Sequence, residues 1–297
     1  MPIFPMRELL ADAVRRDYAV GYFEAWDLYS LEAVKEAAEE MDSPVILGFG
    51  GVMMDQEWFG SGGLRALAAM GRVLVEGAKV PVSYLLNEVE SFDHVRQGLL
   101  SGFNAVMLDT SHMPVEENIA WTRKVVEAAT EFGADVEGEC DPLPDASGMM
   151  VGHSGCKLTD PDEAARYVAE TGVCSLSVAV GNEHIRMEGE SGVDFALLAR
   201  LRDAVSVPLV IHGGTGFPDS AVERAIQHGV SKFNVGSVMK RSYLESARDT
   251  MLALPEMPSF QELVGSHKAG DFLRVAGKRV RDEVKRRLAV YKSAGKA

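Results

Sequence analysis

The sequence predicts an α/β protein folded as a single (β/α)8 TIM barrel over residues 1–297, and three observations carry that prediction. Eight short runs rich in Val, Ile, Leu and Phe alternate with longer segments of helical periodicity. A chain of 297 residues has the length that eight such units need. Most of the runs end on polar side chains able to bind a metal or exchange a proton, as a parallel barrel requires at the carboxyl ends of its strands. An open, doubly wound sheet is the competing architecture.

In chain order, the first run, YAVGYFEAW from Tyr18, carries Glu24, and the second, PVILGFG from Pro44, closes on glycines. PVSYLLN from Pro81 ends on Asn87 with Glu88 next to it, AVMLDTS from Ala105 carries Asp109, and DVEGEC from Asp135 carries Glu139. SLSVAVGN from Ser175 leads into His184, PLVIHGG from Pro208 carries His212, and KFNVGS from Lys232 carries Asn234 and Ser237. Helical patterns lie between the runs: LEAVKEAAEEM, VEENIAWTRKVVEAATEFG, DPDEAARYVAETG, DFALLARLRDAV and SAVERAIQHG. Asp160 before Pro161 and Asp219 before Ser220 mark helix starts, while Gly133, Gly172 and Gly229 mark ends.

Two stretches break this rhythm. Residues 141–157, DPLPDASGMMVGHSGCK, follow the fifth strand and are rich in Gly, Pro and Ser, the composition of a mobile active-site loop. A helical extension begins at about residue 258 and includes a basic run over residues 271–292. Its apolar stripe (Phe272, Leu273, Val275, Val280, Val284, Leu288, Val290 and Tyr291) predicts a helix that packs on the barrel or on a second subunit.

Composition narrows the function. A net charge of -14 works against nucleic-acid binding, which needs clustered cations, and favours a small-molecule ligand. No apolar run approaches the roughly 20 residues of a membrane span, and the opening residues, with charges ahead of any apolar stretch of sufficient length, predict no signal peptide. Three cysteines without close pairing indicate neither a disulfide frame nor a zinc knuckle. A reducing, cytoplasmic setting without membrane contact is expected.

The strand ends carry the chemistry. A lone His after a strand is usually structural, but His184 and His212 on adjacent strands, with carboxylates on others, point to a divalent metal such as zinc. His94, His112, His228 and His267 fall in predicted helices or loops away from this face, whereas the loop holding His153 could fold over it. In HGGTG, Gly213 and Gly214 let backbone N–H groups approach an anion and Thr215 adds a hydroxyl. NVGS precedes a helix whose positive end would face the same spot, the pattern of a phosphate site after strands seven and eight.

The ordered segments YAVGYF, GFNAVMLDTSHMPVEENI, VEGE, LTDPDEAARYVAETGV, VAVGNEH, PLVIHGGTG, KFNVGS and the closing SAGKA span nearly the whole chain. In these the sequence resembles the class II, metal-dependent ketose-phosphate aldolases, the group of fructose- and tagatose-bisphosphate aldolases. The resemblance implies a barrel in which zinc polarises the carbonyl of dihydroxyacetone phosphate and stabilises an enediolate. It implies that His184 and His212 are zinc ligands and that Glu139 can hold a displaced or second ion. Asp109 matches the acidic residue after the fourth strand. Gly181, Gly213, Thr215, Asn234 and Ser237 match the positions that hold phosphate and ketose hydroxyls.

The third strand departs from the family's Asp-His pair, with Asn87 and Glu88 in its place. Asn87, at the catalytic position, has no proton to exchange near neutral pH. Glu88 either completes a two-histidine, one-carboxylate metal site or hydrogen-bonds locally. Glu188 stands where a phosphate-holding lysine is expected, with Arg186 nearby, and Glu24 replaces an Asn. Asp141, Asp145 or His153 could substitute in the altered loop after strand five. Added carboxylates would repel a phosphate. The expected function is a class II aldolase-like lyase acting on a small ketose, ketose phosphate or related oxo compound, with specificity altered from fructose bisphosphate. In that reading Glu139 or Asp141 moves the proton. An isomerase or epimerase, or a non-catalytic small-ligand binder, on the same scaffold are the alternatives. A homodimer or homotetramer is expected.

Overall fold

The computed structural model describes residues 3–147, 157–254 and 259–297. Eight strands close into a barrel: β1 (Val20–Glu24), β2 (Val45–Gly50), β3 (Val82–Val89), β4 (Ala105–Leu108), β5 (Asp135–Glu139), β6 (Ser175–Ser177), β7 (Leu209–Ile211) and β8 (Val230–Val235). Neighbours are parallel throughout, in sequence order, and β8 returns to pair with β1 through Tyr22↔Asn234. Each apolar run of the sequence supplies one strand, and closure excludes the open sheet. β6 is shorter than its run, because the chain leaves the ladder for side-chain partners. The Ala179 N–H donates to Thr159 Oγ1 and the Val180 N–H to Asn182 Oδ1, both at 2.9 Å.

The helices are α1 (Met6–Arg15), α2 (Leu28–Glu40), α3 (Gln56–Trp58), which runs through a π-helical turn (Phe59–Gly63) into α4 (Leu64–Glu76), α5 (Phe92–Leu100), α6 (Val115–Glu131), α7 (Pro161–Thr171), α8 (Phe195–Ala204), α9 (Asp219–Gln227), α10 (Ser237–Leu252), α11 (Phe260–Leu263) and α12 (Phe272–Val290). Asp160 caps α7 as predicted, accepting from the Asp162 and Glu163 N–H groups with Pro161 in the first turn. The expected cap Asp219 is instead the first residue of α9, behind Pro218, and pairs with Arg286. No helix among the described residues is long and apolar enough to cross a membrane.

α1 closes the amino end of the barrel. The Phe4 N–H donates to Val82 O at the start of β3, and the Arg7 N–H to Asp135 Oδ2 at the start of β5. Its own Met6 and Leu10 are fully buried. Only the carboxyl end is left to carry a site. On the outside, the stripe predicted on the last helix is buried at Val280, Val284, Leu288 and Tyr291, where α12 packs on α2 and α10 of the same chain. Tyr291 stacks on Phe233 of β8 with ring centroids 4.7 Å apart. Among its basic residues, Arg281 and Lys285 pair with Glu40, and Arg286 with Glu283 and Asp219.

Candidate active site

β3 delivers the first site residue through a kink. The register to β4 shifts between Leu86 and Val89, and Glu88 takes a left-handed φ of 47°. Such a conformation costs a non-glycine residue about 1–3 kcal/mol and persists only where its surroundings over-determine it. Here the Gly51 N–H holds Asn87 O at 2.8 Å and the Val52 N–H holds Glu88 O at 2.7 Å. The kink turns the Glu88 side chain to the barrel mouth, where Oε1 lies 2.9 Å from His212 Nδ1 and 4.0 Å from His184 Nε2. Ligand-type atoms of Glu88, His184 and His212 all fall within 4.8 Å of one another. The two imidazoles share a site, and Glu88 joins them.

His184 is placed by strand-like pairing of its backbone with the loop after β5. Its N–H donates to Pro144 O at 2.8 Å, and its carbonyl accepts from the Ala146 N–H at 3.0 Å. His212 is fixed from both sides. Asn182 Nδ2 holds its carbonyl at 3.0 Å, and Glu137 Oε1 lies 2.9 Å from its Nε2. Glu137 in turn accepts from Lys232 Nζ at 2.8 and 2.7 Å and from Ser175 Oγ at 3.1 Å, all out of solvent. Both ring nitrogens of His212 thus face carboxylate oxygens; an Nε2–H held by Glu137 is the contact that orients a metal-binding imidazole, and loss of the Nδ1 proton would free that nitrogen for an ion.

The electrostatics of this cluster favour a cation. Burial alone would raise the Glu88 carboxyl, but His212, His184 and Lys232 pull it down to about 2. Burial would likewise raise Glu137, which Lys232 and His212 hold at about 2. Burial opposes charge on His212, yet Glu88, Glu137 and Glu139 outweigh it and raise the imidazole to about 10. Ionised Glu88 and Glu137 on either side of one ring make a strong anionic field. Two imidazoles and a carboxylate are also a donor set suited to zinc and other first-row divalent ions, so the residues present fit a metal.

A cavity of about 280 Å³ opens over this cluster. Of the residues singled out in the sequence, Glu24, Asn87, Glu88, His184, His212, Gly213, Thr215, Asn234 and Ser237 line it. Asp109, Glu139, Gly181 and Gly214 do not line it. Glu139 lies a layer deeper, accepting from Ser177 Oγ at 2.7 Å and 3.7 Å from His212 Nδ1. Burial, reinforced by Asp109 and Glu88, pushes its carboxyl up to about 8, so it is protonated at neutral pH. Asp109 accepts from the Ser111 hydroxyl at 2.9 Å. Gly181, at φ 103°, serves packing, since a Cβ there would lie 2.6 Å from Gly192 O. The Gly214 N–H is taken by Asn234 O at 2.9 Å and is not offered to an anion.

Asn87 acts on its neighbour, its Nδ2 donating to Glu88 Oε2 at 2.7 Å. Thr215 Oγ1 accepts from the Val238 N–H at 3.2 Å and thereby caps the start of α10. Arg186 is tied to Glu183 at 2.6 Å, and Asp141 pairs with Lys157 at 3.4 Å; neither lines the cavity. His94, His112, His228 and His267 lie outside the cluster, while His153 lies outside the described residues. The sequence reading passed over Glu137, Lys232, Tyr22 and Lys240. Glu137 and Lys232 sit two positions before Glu139 and Asn234, hence on the same face of their strands, and that spacing was the available signal.

A family model described as "Fructose-bisphosphate aldolase class-II" matches residues 4–296. The fructose-bisphosphate aldolase of Geobacillus stearothermophilus is 34% identical, covering 94% of this chain and 96% of its own. The 6-phospho-5-dehydro-2-deoxy-D-gluconate aldolase of Bacillus subtilis is 31% identical, covering 100% of this chain and 98% of its own. Among solved structures, the YdjI aldolase of Escherichia coli K12 superposes with a TM-score of 0.81 at 29% identity, over the full length of both chains.

Proposed function

This chain belongs to the class II fructose-bisphosphate aldolase family, a family of metal-dependent lyases, and we propose that within it the protein cleaves or forms a carbon–carbon bond of a small ketose other than fructose bisphosphate. The observation that carries the altered specificity is the third-strand pair. Asn87 Nδ2 is bonded to Glu88 Oε2 while Glu88 Oε1 faces both histidines, so the pair works as one metal-facing unit with no exchangeable proton.

His184, His212 and Glu88 would hold the ion, for which zinc suits the donor set. When bound, a divalent ion there supplies Lewis acidity toward a substrate carbonyl. The chain's own residues do the remaining work. Glu137 and Lys232 hold the His212 ring, Asn87 holds Glu88, and the Glu139 carboxyl, 3.7 Å from His212 Nδ1, is a proton donor one layer below the cavity. Asn234, Thr215 and Ser237 orient the substrate's hydroxyls at the far side of the cavity. A small-molecule substrate fits the cavity's volume.

The test is elemental analysis of the purified protein and of Glu88→Ala, alongside retro-aldol assays on a panel of ketoses and ketose phosphates. Near-stoichiometric divalent metal in the parent, lost in Glu88→Ala, is expected together with cleavage of a ketose other than fructose bisphosphate. Unchanged metal content in Glu88→Ala would remove Glu88 from the ligand set. Efficient cleavage of fructose bisphosphate would refute the altered specificity.

A further inference from the structure

Opposite the metal-facing cluster, the cavity carries an ion pair that no other part of the site explains. Glu24, the last residue of β1, projects over the start of α10, where Lys240 binds its Oε1. Two glycines make room for the carboxylate. A Cβ on Gly236 would lie 2.7 Å from Glu24 Oε2, and one on Gly50 would lie 3.2 Å from the same atom. A carboxylate of the protein therefore lies beside the amino end of a long helix, next to the Gly213, Thr215 and Ser237 side of the cavity. That is the place where backbone N–H groups and a helix dipole would otherwise receive a ligand's anionic group.

Resting on the aldolase reading above, we propose that Glu24, paired with Lys240, is a specificity-determining residue: its carboxylate occupies the position of a substrate phosphate, so this end of the cavity binds a ketose through uncharged hydroxyls. The hydrogen-bonding inventory agrees. A phosphate dianion only accepts hydrogen bonds, whereas this end presents the acceptors Glu24 and Asn234 Oδ1 beside the donors Lys240 and Tyr22 Oη. Among the described residues, neither Asn234 Oδ1 nor Tyr22 Oη, both buried, has a hydrogen-bond partner. Hydroxyl groups, which donate and accept at once, satisfy such a mixture. The cation that could answer a phosphate is already neutralised, since Lys240 is bound to Glu24 and the neighbouring Arg186 to Glu183. A phosphate entering here would also meet the Glu24 charge.

Inorganic phosphate is the probe, followed by calorimetric titration and 31P line broadening on the metal-loaded protein and repeated after metal removal, so that phosphate on the metal is told apart. The parent is expected to bind it only in the range of tens of millimolar or weaker. Glu24→Gln frees Lys240 and should tighten binding about tenfold or more, and adding Lys240→Ala should abolish the gain. Glu24→Asp keeps the charge and should show no gain, which guards against a folding defect in the neutral variant. Tight phosphate binding by the parent, no gain in Glu24→Gln, an equal gain in Glu24→Asp, or a gain that survives Lys240→Ala would each overturn the assignment. Because the readout is ligand binding, failure of every ketose in the cleavage assays would sink the aldolase reading without deciding this one.

Discussion

Replacing Lys232 by Met tests whether the deepest charges of the barrel are built for the site above them. Lys232 and Glu137 are both 0–1% exposed, joined by hydrogen bonds of 2.8 and 2.7 Å. Removing one partner of a buried pair costs about 3–5 kcal/mol, because the other charge is left without compensation. Glu137 would keep His212 and Ser175 as partners, and Met fills much of the vacated volume, so the low end, about 3 kcal/mol, applies. At roughly 2 °C per kcal/mol for a chain of this size, the thermal midpoint should fall about 6 °C. Urea unfolding measures the loss directly. Adding Glu137→Gln to Lys232→Met removes the orphaned charge, keeps an oxygen for His212 Nε2 and turns an amide N–H toward Ser175 Oγ, which then accepts, so at least about half of the loss should return. A loss below about 1 kcal/mol in the single variant, or strictly additive losses in the double, would refute the buried charge relay.

Three further outcomes are expected. Gly213→Ala places a Cβ 2.0 Å from Glu183 O at a φ of 69° and should cost about 2 kcal/mol or more, displacing His212 and lowering metal affinity as read by chelator competition. Asn87→Asp puts a second carboxylate 2.7 Å from Glu88 Oε2 and should destabilise the protein stripped of metal by about 2 kcal/mol at neutral pH, a loss that shrinks as pH falls and the pair takes up a proton; an unchanged urea midpoint would contradict it. Asp271→Ala removes the cap of α12 and the acceptor for the His267 and Leu273 N–H groups and the Tyr29 hydroxyl, costing about 2 kcal/mol at neutral pH. Burial works against the Asp271 charge, but those donors hold its carboxyl below 3.8, so its contribution is complete above that value and lost as pH falls through the lower folded one. The deficit of Asp271→Ala should therefore narrow in acid, and a constant deficit would point to lost packing instead.

The barrel was legible because its strands are buried on both faces and read as continuous apolar runs, from which closure in sequence order follows. The gathering of Glu88, His184 and His212 was legible for a related reason, since Glu88 and His212 stand at the carboxyl ends of β3 and β7 and His184 follows β6. What escaped was one layer down. Glu137 and Lys232 lie inside runs where an apolar residue is expected, and only their mutual neutralisation makes them tolerable there. Gly181 and Gly214 read as anion-cradle glycines, whereas close backbone approach explains both. Glu139 was placed correctly on its strand, but its protonation depends on burial among Asp109 and Glu88, which spacing along the chain does not encode. The left-handed turn at Glu88 has no residue signature at all, because it is imposed by the Gly51 and Val52 amides from the neighbouring segment.

Arg287 of α12 reaches through to Gly214 O at 2.8 Å and Thr215 O at 3.4 Å, bracing from behind the turn that follows His212. The Tyr291 carbonyl meanwhile holds the Ala19 amide just ahead of the first strand. During synthesis every side chain of the cavity leaves the ribosome before this brace does. A nascent chain can thus possess the whole reactive mouth and still lack its rear support, and removal of α12 would strike at the turn after His212 from a distance.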